Sequence, residues 1–392
     1  MPRNREISVT EVSKYDQFVD MQEAWNAILL KRSQSSIFLK HEWFDAAWQW
    51  CKQSSALRIL RCFRGSDLVA IAPLSSTKLK GQFVSYTRLS VIHVPDSQQC
   101  DIVVSDEDSA LAVASIIEYL SSRTDWDTAI FPKLQLDSCM ATYAADASAK
   151  AHLKFVMTDA DENPEVDLTN NWQSYYSSRS RRLKKSNNNC RNKIYADGNT
   201  VKLHWSAESV SEQPTTEYLL SSLKHVSSVS WKKHTGLSLD NIGPGAFIDR
   251  LSEHSIRNKW LSIWALEINN KIVATEYQLI HEGVVVALRA DHDPSFASLS
   301  PGSYLNWRIL ETLFGSENTL YRMGPGNNPY KLRWADKLTT LKELRLYNTT
   351  PRGWYLWFIE ARMRPLLRQI INTLSQVRVH LLALRHKGPN SG

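Results

Sequence analysis

Val284-Val285-Val286-Ala287-Leu288-Arg289-Ala290, followed by Ser300-Pro301-Gly302-Ser303 and then by the apolar periodicity of Leu305 to Phe314, reads as strand, loop and helix. Ser300 is placed to cap the helix, Pro301 to open it, and Gly302 to let a ligand come close to the backbone. Amide N–H groups at such a start face the loop, which suits a phosphate-rich ligand. A second strand, Thr319 to Met323, follows the helix, so the crossover implies two parallel neighbours. Beyond it Tyr330-Lys331, with Trp334, supply a proton donor and a cation. The combination points to acyl transfer from a thioester of the CoA type.

Outward from this stretch the chain repeats itself. A hairpin pattern at Leu57 to Phe63 and Leu68 to Leu74, turning at Gly65-Ser66-Asp67, recurs at Leu261 to Ile268 and Ile272 to Ile280, turning at Asn269-Asn270-Lys271. Leu57 and Leu261, Ile59 and Ile263, and Val69-Ala70 and Val273-Ala274 are identical pairs. Around the first hairpin lie a strand (Glu6 to Val12), helices (Tyr15 to Leu30, His41 to Trp50), a strand (Asp101 to Val104), a helix (Ala110 to Leu120) and a strand (Trp126 to Phe131). Around the second lie a strand (Val201 to Trp205), helices (Thr215 to Ser228, Ala246 to Ser255), and then the strand, helix and strand already described. The shared order predicts tandem α/β domains with mixed sheets, at 1–150 and 165–350, joined near Ala141 to Pro164, with a helical tail at 351–392. The first half's helix starts Ser105-Asp106-Glu107-Asp108, whose acids suit a helix dipole but repel a pyrophosphate. Phosphate binding is therefore expected in the second half alone.

Of the 392 residues, 43% are hydrophobic and 22% charged, the composition of an ordinary soluble protein of more than one core. Cys51, Cys62, Cys100, Cys139 and Cys190 are scattered without C-x-x-C spacing, so neither a metal site nor a disulfide framework is expected. The N-terminus is polar and no apolar run has the ~20 residues of a membrane span, so a cytoplasmic location is expected. The formal charge is +7, but residues 351–392 hold seven basic residues against Glu360, a net of +6, leaving +1 for the rest. No nucleic-acid partner is expected for a body so nearly neutral.

The residues from about Trp172 to Tyr347 resemble the C-terminal half of the CelD-like acyltransferases, a branch of the GNAT acetyltransferase superfamily related to the Fem-type tandem transferases. The resemblance is carried by Asp293-Pro294-Ser295-Phe296, Ser300-Pro301-Gly302 with Leu305, and Gly324-Pro325-Gly326-Asn327-Asn328-Pro329-Tyr330-Lys331 with Trp334-Ala335-Asp336. Ser178 to Leu183 and Ser230-Trp231-Lys232 fit less specific motifs of the same family. It implies an acyl-CoA co-substrate, no metal, and a small-molecule or sugar-linked acceptor such as a cell-envelope polysaccharide precursor. Pantetheine would lie where the strand splays from its neighbour as it ends near Arg289-Ala290, with Leu288 and Arg289 as cofactor-binding residues, and pyrophosphate at Ser300, Pro301, Gly302 and Ser303. Arg179, Arg182, Trp231 and Trp334 would face the acceptor. The family's phosphate loop is reduced here to a single glycine, which leaves acyl-CoA, acyl carrier protein and aminoacyl-tRNA open as donors.

An amine acceptor near pKa ~10.4 must lose a proton before it attacks. Glu276, a carboxylate inside an apolar strand, is the pointed base candidate, with Asp291, His292 and Asp293 crowding the end of the neighbouring strand. Tyr330 is a candidate donor to the departing thiolate, and Lys331 to stabilise negative charge or contact a CoA phosphate. Arg179 to Lys193 holds seven basic residues and no acid falls between Leu168 and Ala196, so this stretch is either an anion clamp or a solvated helix face.

In the tail, Met363, Leu367, Ile370, Leu374, Val377, Leu381 and Leu384 fall on one helical stripe, flanked by arginines and by Trp354-Tyr355-Leu356-Trp357-Phe358. This pattern fits peripheral contact with the inner face of an anionic membrane, and equally a partner helix or the chain's own body. If the membrane takes it, deleting residues 351–392 lowers co-sedimentation with anionic vesicles; unchanged sedimentation removes the membrane from consideration.

Overall fold

The structure, a computed structural model, describes residues 6–34, 36–81, 83–206 and 214–363. Most of the apolar stripe expected along the tail, everything beyond Met363, lies outside the described residues.

The first half runs β1 (Ser8–Val12), α1 (Tyr15–Val19), α2 (Gln22–Leu29), α3 (His41–Cys51), β2 (Ala56–Arg64), β3 (Asp67–Lys80), β4 (Ser85–Val91), β5 (Val103–Val104), α4 (Ser109–Ser121), β6 (Thr128–Leu134), α5 (Cys139–Lys150) and β7 (Lys154–Asp167). Two helices lead into the second half, α6 (Trp172–Ser178) and α7 (Arg181–Ile194). Then come β8 (Val201–Trp205), α8 (Thr216–Val229), α9 (Ile242–Arg257), β9 (Leu261–Ile268), β10 (Lys271–His281), β11 (Val284–His292), α10 (Pro301–Leu313), β12 (Leu320–Arg322), α11 (Pro329–Leu332), β13 (Lys337–Tyr347) and α12 (Pro351–Trp357). Both expected hairpins form. Gly65 turns the first at a φ of 62°, and Asn269 and Asn270 turn the second at 50° and 61°. Asparagine tolerates that left-handed geometry, and a two-residue turn of this hand matches the twist of the strands.

The strands make one sheet in the order β1-β2-β3-β4-β6-β13-β7-β12-β11-β10-β9-β8, with β5 set off against β3. The order is symmetric about the β13–β7 pair, and each half gives away its last strand. β7 closes the second half against β12, and β13 closes the first against β6. The two exchanged strands pair antiparallel with each other from Lys337 opposite Glu165 to Tyr347 opposite Lys154.

Three local expectations change. The stretch expected as a linker, 141–164, instead lies within α5 and β7. The counterpart of β11 is β4, which pairs antiparallel with β3 and parallel with β6, whereas Asp101 to Val104 supplies only the two-residue β5. The polar alternation of Ser85 to Val91 hid that strand. The helix expected at Tyr15 to Leu30 breaks in two at Asp20 and Met21.

Packing of α3 against α9 also joins the halves. α3 lies along α9, with the Trp43 and Phe247 rings edge to face at 5.5 Å. Asp45 is 1% exposed there and accepts from Arg250 Nε (2.6 Å), Tyr15 hydroxyl (2.7 Å) and His254 Nε2 (2.7 Å). A carboxylate so buried survives only because its partners replace water. On the opposite face of the second half, α7 buries Leu183, Cys190 and Ile194 against α10 and turns its basic residues outward. Leu344 of β13 is fully buried in a core cluster that holds residues of both halves. Leu344→Ala should therefore cost about 2–5 kcal/mol and lower a single unfolding transition seen by denaturant melts at several tryptophans; two separate transitions would contradict the shared sheet.

Candidate functional site

The site begins with a pairing that stops early. β11 pairs with β12 only at Val284, Val285 and Val286, and then continues to His292 with no strand paired to that edge among the described residues. On its other edge, Tyr277 pairs with Arg289 and Gln278 with Ala287, so Leu288 is an extra residue without a partner. A bulge of this kind sharpens the local bend of its strand. The strands part just after Val286, with the bulge at Leu288, a little before the Arg289-Ala290 position that the family resemblance implied.

Gly324 stands in the opening with a φ of 81°. A Cβ there would lie 3.3 Å from the Ala287 carbonyl oxygen, 3.5 Å from Gln98 Nε2 and 3.6 Å from Lys331 Nζ. A left-handed backbone and a crowded Cβ position both select glycine. Lys331, on the short α11, is 7% exposed and donates to the carbonyls of Gly324 (2.9 Å) and Pro325 (3.1 Å). Burial lowers its pKa from 10.5 to about 8, against the opposing pull of Glu276 and Asp161. Gln98 comes from the first half and donates to the Ala287 carbonyl at 2.7 Å. Asp96, from the same loop, pairs with Arg289 at 2.8 Å.

Two cavities meet at this point, one of about 320 Å³ along Ala287, Leu288, Gly324 and Lys331, the other of about 540 Å³ under the start of α10. They share Trp231, Glu276, Ala290, Asn306, Asn328 and Tyr330, and so form two lobes of one cleft. Glu276 is 4% exposed; its Oε1 accepts from the Tyr321 hydroxyl (2.6 Å) and Gln278 Nε2 (2.7 Å). Burial raises its pKa despite those bonds. Burial, and then the charge of Glu276, raises the pKa of Tyr330. Its phenol therefore stays protonated and is available to donate a hydrogen bond.

Asp291 points to the other face of the sheet and is bound to Lys232 Nζ at 2.9 Å. Its Oδ1 is buried without a partner, as are Thr275 Oγ1, directly across the strands, and Asn306 Nδ2. Asp293 is spoken for: Ser295 and Lys271 donate to it, and those bonds outweigh burial to bring its pKa down to about 2.

At the start of α10, Ser300 is left-handed (φ 56°) and caps with its carbonyl rather than its hydroxyl, accepting from Ser303 N (3.1 Å) and Tyr304 N (3.2 Å). Pro301 has no N–H, so the first turn offers the larger lobe the Gly302 amide and the exposed Ser303 hydroxyl. A Cβ on Gly302 would come within 3.6 Å of His292 Nδ1.

The cleft thus gathers Glu276, Leu288, Arg289, Asp291, Ser300, Pro301, Gly302, Ser303, Tyr330, Lys331 and Trp231. Three expected residues line neither lobe. Arg179 is committed to the turn it faces, donating to the carbonyls of Trp334 (3.0 Å) and Ala335 (3.3 Å) and to Asp336 (2.8 Å). Trp334 is 3% exposed, packed among Trp172 and Tyr176. Arg182 is exposed on α7. Arg289 borders the cleft, yet its guanidinium serves Asp96 and the Leu237 carbonyl, leaving the ligand only its backbone. Gln98, Asp96 and Asn306 were not read from the sequence; nothing local marks a loop glutamine as the neighbour of a strand 189 positions away.

Residues 191–332 match the family model for the acetyltransferase (GNAT) domain. The matched span runs from the end of α7 through α11 and includes Glu276, Gly302 and Lys331 of the cleft. Its fold is similar to the crystal structure of FemX, at 9% identity and a TM-score of 0.57, covering 90% of this chain and 99% of that one. It is also similar to the C-terminal domain of an Agrobacterium fabrum protein described as a lysylphosphatidylglycerol synthetase, at 14% identity and a TM-score of 0.51, covering 86% and 95%. At these identities the likeness is one of fold. The search of curated proteins found no match. Among the described residues no cluster of three or more metal-type ligands occurs, and no helix is long and apolar enough to cross a membrane.

A buried ammonium costs stability, and the shift of Lys331 from 10.5 to about 8 sets that cost near ~3 kcal/mol below pH 8. Because the folded pKa lies below the unfolded one, the unfolded chain binds the proton more tightly, and the penalty fades as pH rises from 8 to 10.5. The stability difference between Lys331→Met and wild type, read from denaturant melts, should thus favour the variant most below pH 8 and shift toward wild type by pH 10; a pH-independent difference would show that Lys331 is not a buried cation.

Proposed function

We propose that this protein transfers an acyl group from an acyl-CoA thioester to an amine or hydroxyl acceptor, with a sugar or envelope-polysaccharide precursor as the acceptor class. The observation that carries the reading is the arrangement of Lys331 in the opening between β11 and β12. A neutral amine has two N–H bonds and one lone pair. The Gly324 and Pro325 carbonyls take both N–H bonds, so the lone pair is directed away from them. At a pKa of about 8, about a tenth of the side chain is neutral at pH 7, against well under 0.1% for an ordinary lysine.

Lys331 is the base that takes the acceptor's proton. With a pKa so close to the ~8.5 of a thiol, it can pass that proton to the departing thiolate at little cost. Tyr330 hydrogen-bonds to developing negative charge, and Glu276 keeps the pKa of Lys331 from falling further. The donor fits the residues present. Beyond Val286 the edge of β11 has no strand partner and is open to the pantetheine amides, with only the Ala287 carbonyl taken, by Gln98, and Asn306 Nδ2, buried without a partner at the junction of the lobes, suits a passing carbonyl oxygen. The Gly302 amide and the Ser303 hydroxyl are placed for a phosphate.

A second reading, transfer of an aminoacyl group from tRNA, draws support from α7. Arg181, Arg182, Lys185, Arg191 and Lys193 are exposed there, and Lys193 Nζ reaches the Ser298 carbonyl (3.2 Å) in the loop that leads to α10. A polyanion leaving the larger lobe would meet this face. Thermal melts with acetyl-CoA, longer acyl-CoAs and aminoacyl-tRNA separate the readings. We expect acyl-CoA to raise Tm and Gly302→Asp to abolish the rise, with Lys331→Ala lowering acceptor-dependent CoA release at least tenfold while donor affinity changes little. Stabilisation by aminoacyl-tRNA alone selects the second reading, and stabilisation by no donor leaves a scaffold without catalysis.

A further inference from the structure

We propose that Lys331 is itself a site of modification: with donor bound and no acceptor present, its side-chain amine takes the acyl group and the protein switches itself off. The inference rests on the acyl-CoA reading above. It is carried by placement: Lys331 Nζ, Gln98 Nε2 and the Ala287 carbonyl oxygen all lie within 3.6 Å of one point, the Cβ position that Gly324 leaves vacant. That point is the mouth of the gap between the strands, where a thioester following the free edge of β11 must arrive. With its two N–H bonds fixed on Gly324 and Pro325, the neutral amine presents its lone pair to whatever occupies the mouth. An acceptor shields the thioester by occupying that space; without one, the nearest nucleophile is Lys331.

The step balances without a further reactant. The lone pair of Nζ forms a bond to the thioester carbonyl carbon, the C–S bond breaks, CoA leaves as thiolate, and the proton lost by nitrogen goes to the thiolate. The product amide is uncharged and keeps a single N–H, so it can serve only one of the two carbonyls that Lys331 held. It has no basic lone pair, so the proton acceptor of the reaction is gone. Such a device ties activity to the supply of acceptor relative to donor.

The groups that face Lys331 shape the pH dependence. Glu276 of β10 and Asp161 of β7 hold its pKa up, while Lys133 of β6 and Lys232 of the short helix Trp231–His234 push it down, beneath the larger effect of burial. Glu276 resists ionisation and so exerts less pull than its position alone would give.

The test uses the full-length protein incubated with acetyl-CoA alone and followed by peptide mass spectrometry. We expect Lys331 to gain an acetyl group about tenfold or more faster than the exposed Lys185, at a rate that climbs with pH to about 8 and then levels. Excess CoA should suppress the labelling, heat-unfolded chain should lose the preference, and Lys331→Arg should remove the fast mass increment. If acetyl-CoA raises Tm yet Lys331 stays unmodified, or labels no faster than Lys185, self-acylation is refuted and the donor reading stands. If acetyl-CoA neither stabilises the protein nor labels Lys331, both fall together.

Discussion

β11 cannot remain paired with β12 beyond Val286, and the cleft exists because of that limit. Leu288 adds a residue that β10 has no partner for, and Gly324 turns the chain away from β11 as soon as β12 ends. Peptide groups on the free edge of β11 then need partners, since an unpaired buried carbonyl costs about 1–3 kcal/mol. Gln98 supplies one of them from the other half of the molecule, at the Ala287 carbonyl. A ligand running along this edge would supply others, so the same unpaired backbone that weakens the sheet is what the proposed binding surface is made of.

Seen from that edge, the first half is a working part of the site. Its loop 95–98 supplies one wall of the smaller lobe, fixed by Asp96 on Arg289, whose guanidinium also lies over the Trp50 ring at 5.6 Å. Arg289 is 2% exposed, so its charge could not stay there without Asp96. The first half needs β13 to complete its sheet, and the second needs β7. A movement of one half against the other would have to open the longest antiparallel pair in the sheet. The cleft is consequently built on a rigid frame, as the proposed transfer requires if its groups are to be aligned before an acceptor arrives.

The parts legible in the sequence were those with local chemistry. Val284 to Leu313 read correctly as strand, loop and helix because apolar periodicity, proline and glycine each mark their positions, and Glu276 stood out as a carboxylate in an apolar strand. β7 was illegible: Lys154 to Asp167 is rich in acids, carries Pro164 and leaves most of its residues at least partly exposed, so it lacks the alternation that marks a half-buried strand. Its place comes from β13, far away in the chain. Arg179 and Trp334 show the opposite failure, residues of functional type whose hydrogen bonds and ring contacts are spent on the packing of α6. A side chain's chemistry can be read from sequence, but whether that chemistry is still available depends on the neighbours that folding brings.

Lys331 and Glu276 illustrate the point in energies. Isolated, burial would drive the lysine toward neutrality and the carboxyl toward protonation, and each would lose its charge. Their mutual attraction works against both shifts, so neither pKa runs to its limit. Tyr321 and Gln278 hold Glu276 by Oε1, which favours its charged form, while Lys331 rests on carbonyls that accept equally from an ammonium or an amine. The backbone contacts therefore set the direction of the lysine's lone pair without fixing its protonation state, and the distant carboxylate tunes that state. A lysine salt-bridged directly to Glu276 would have kept its proton far above neutral pH and could not serve as the proposed base. Orientation and charge are thus set separately: burial brings the side chain from a pKa of 10.5 to about 8, the carboxylate on β10 keeps it from falling further, and the two loop carbonyls fix its direction.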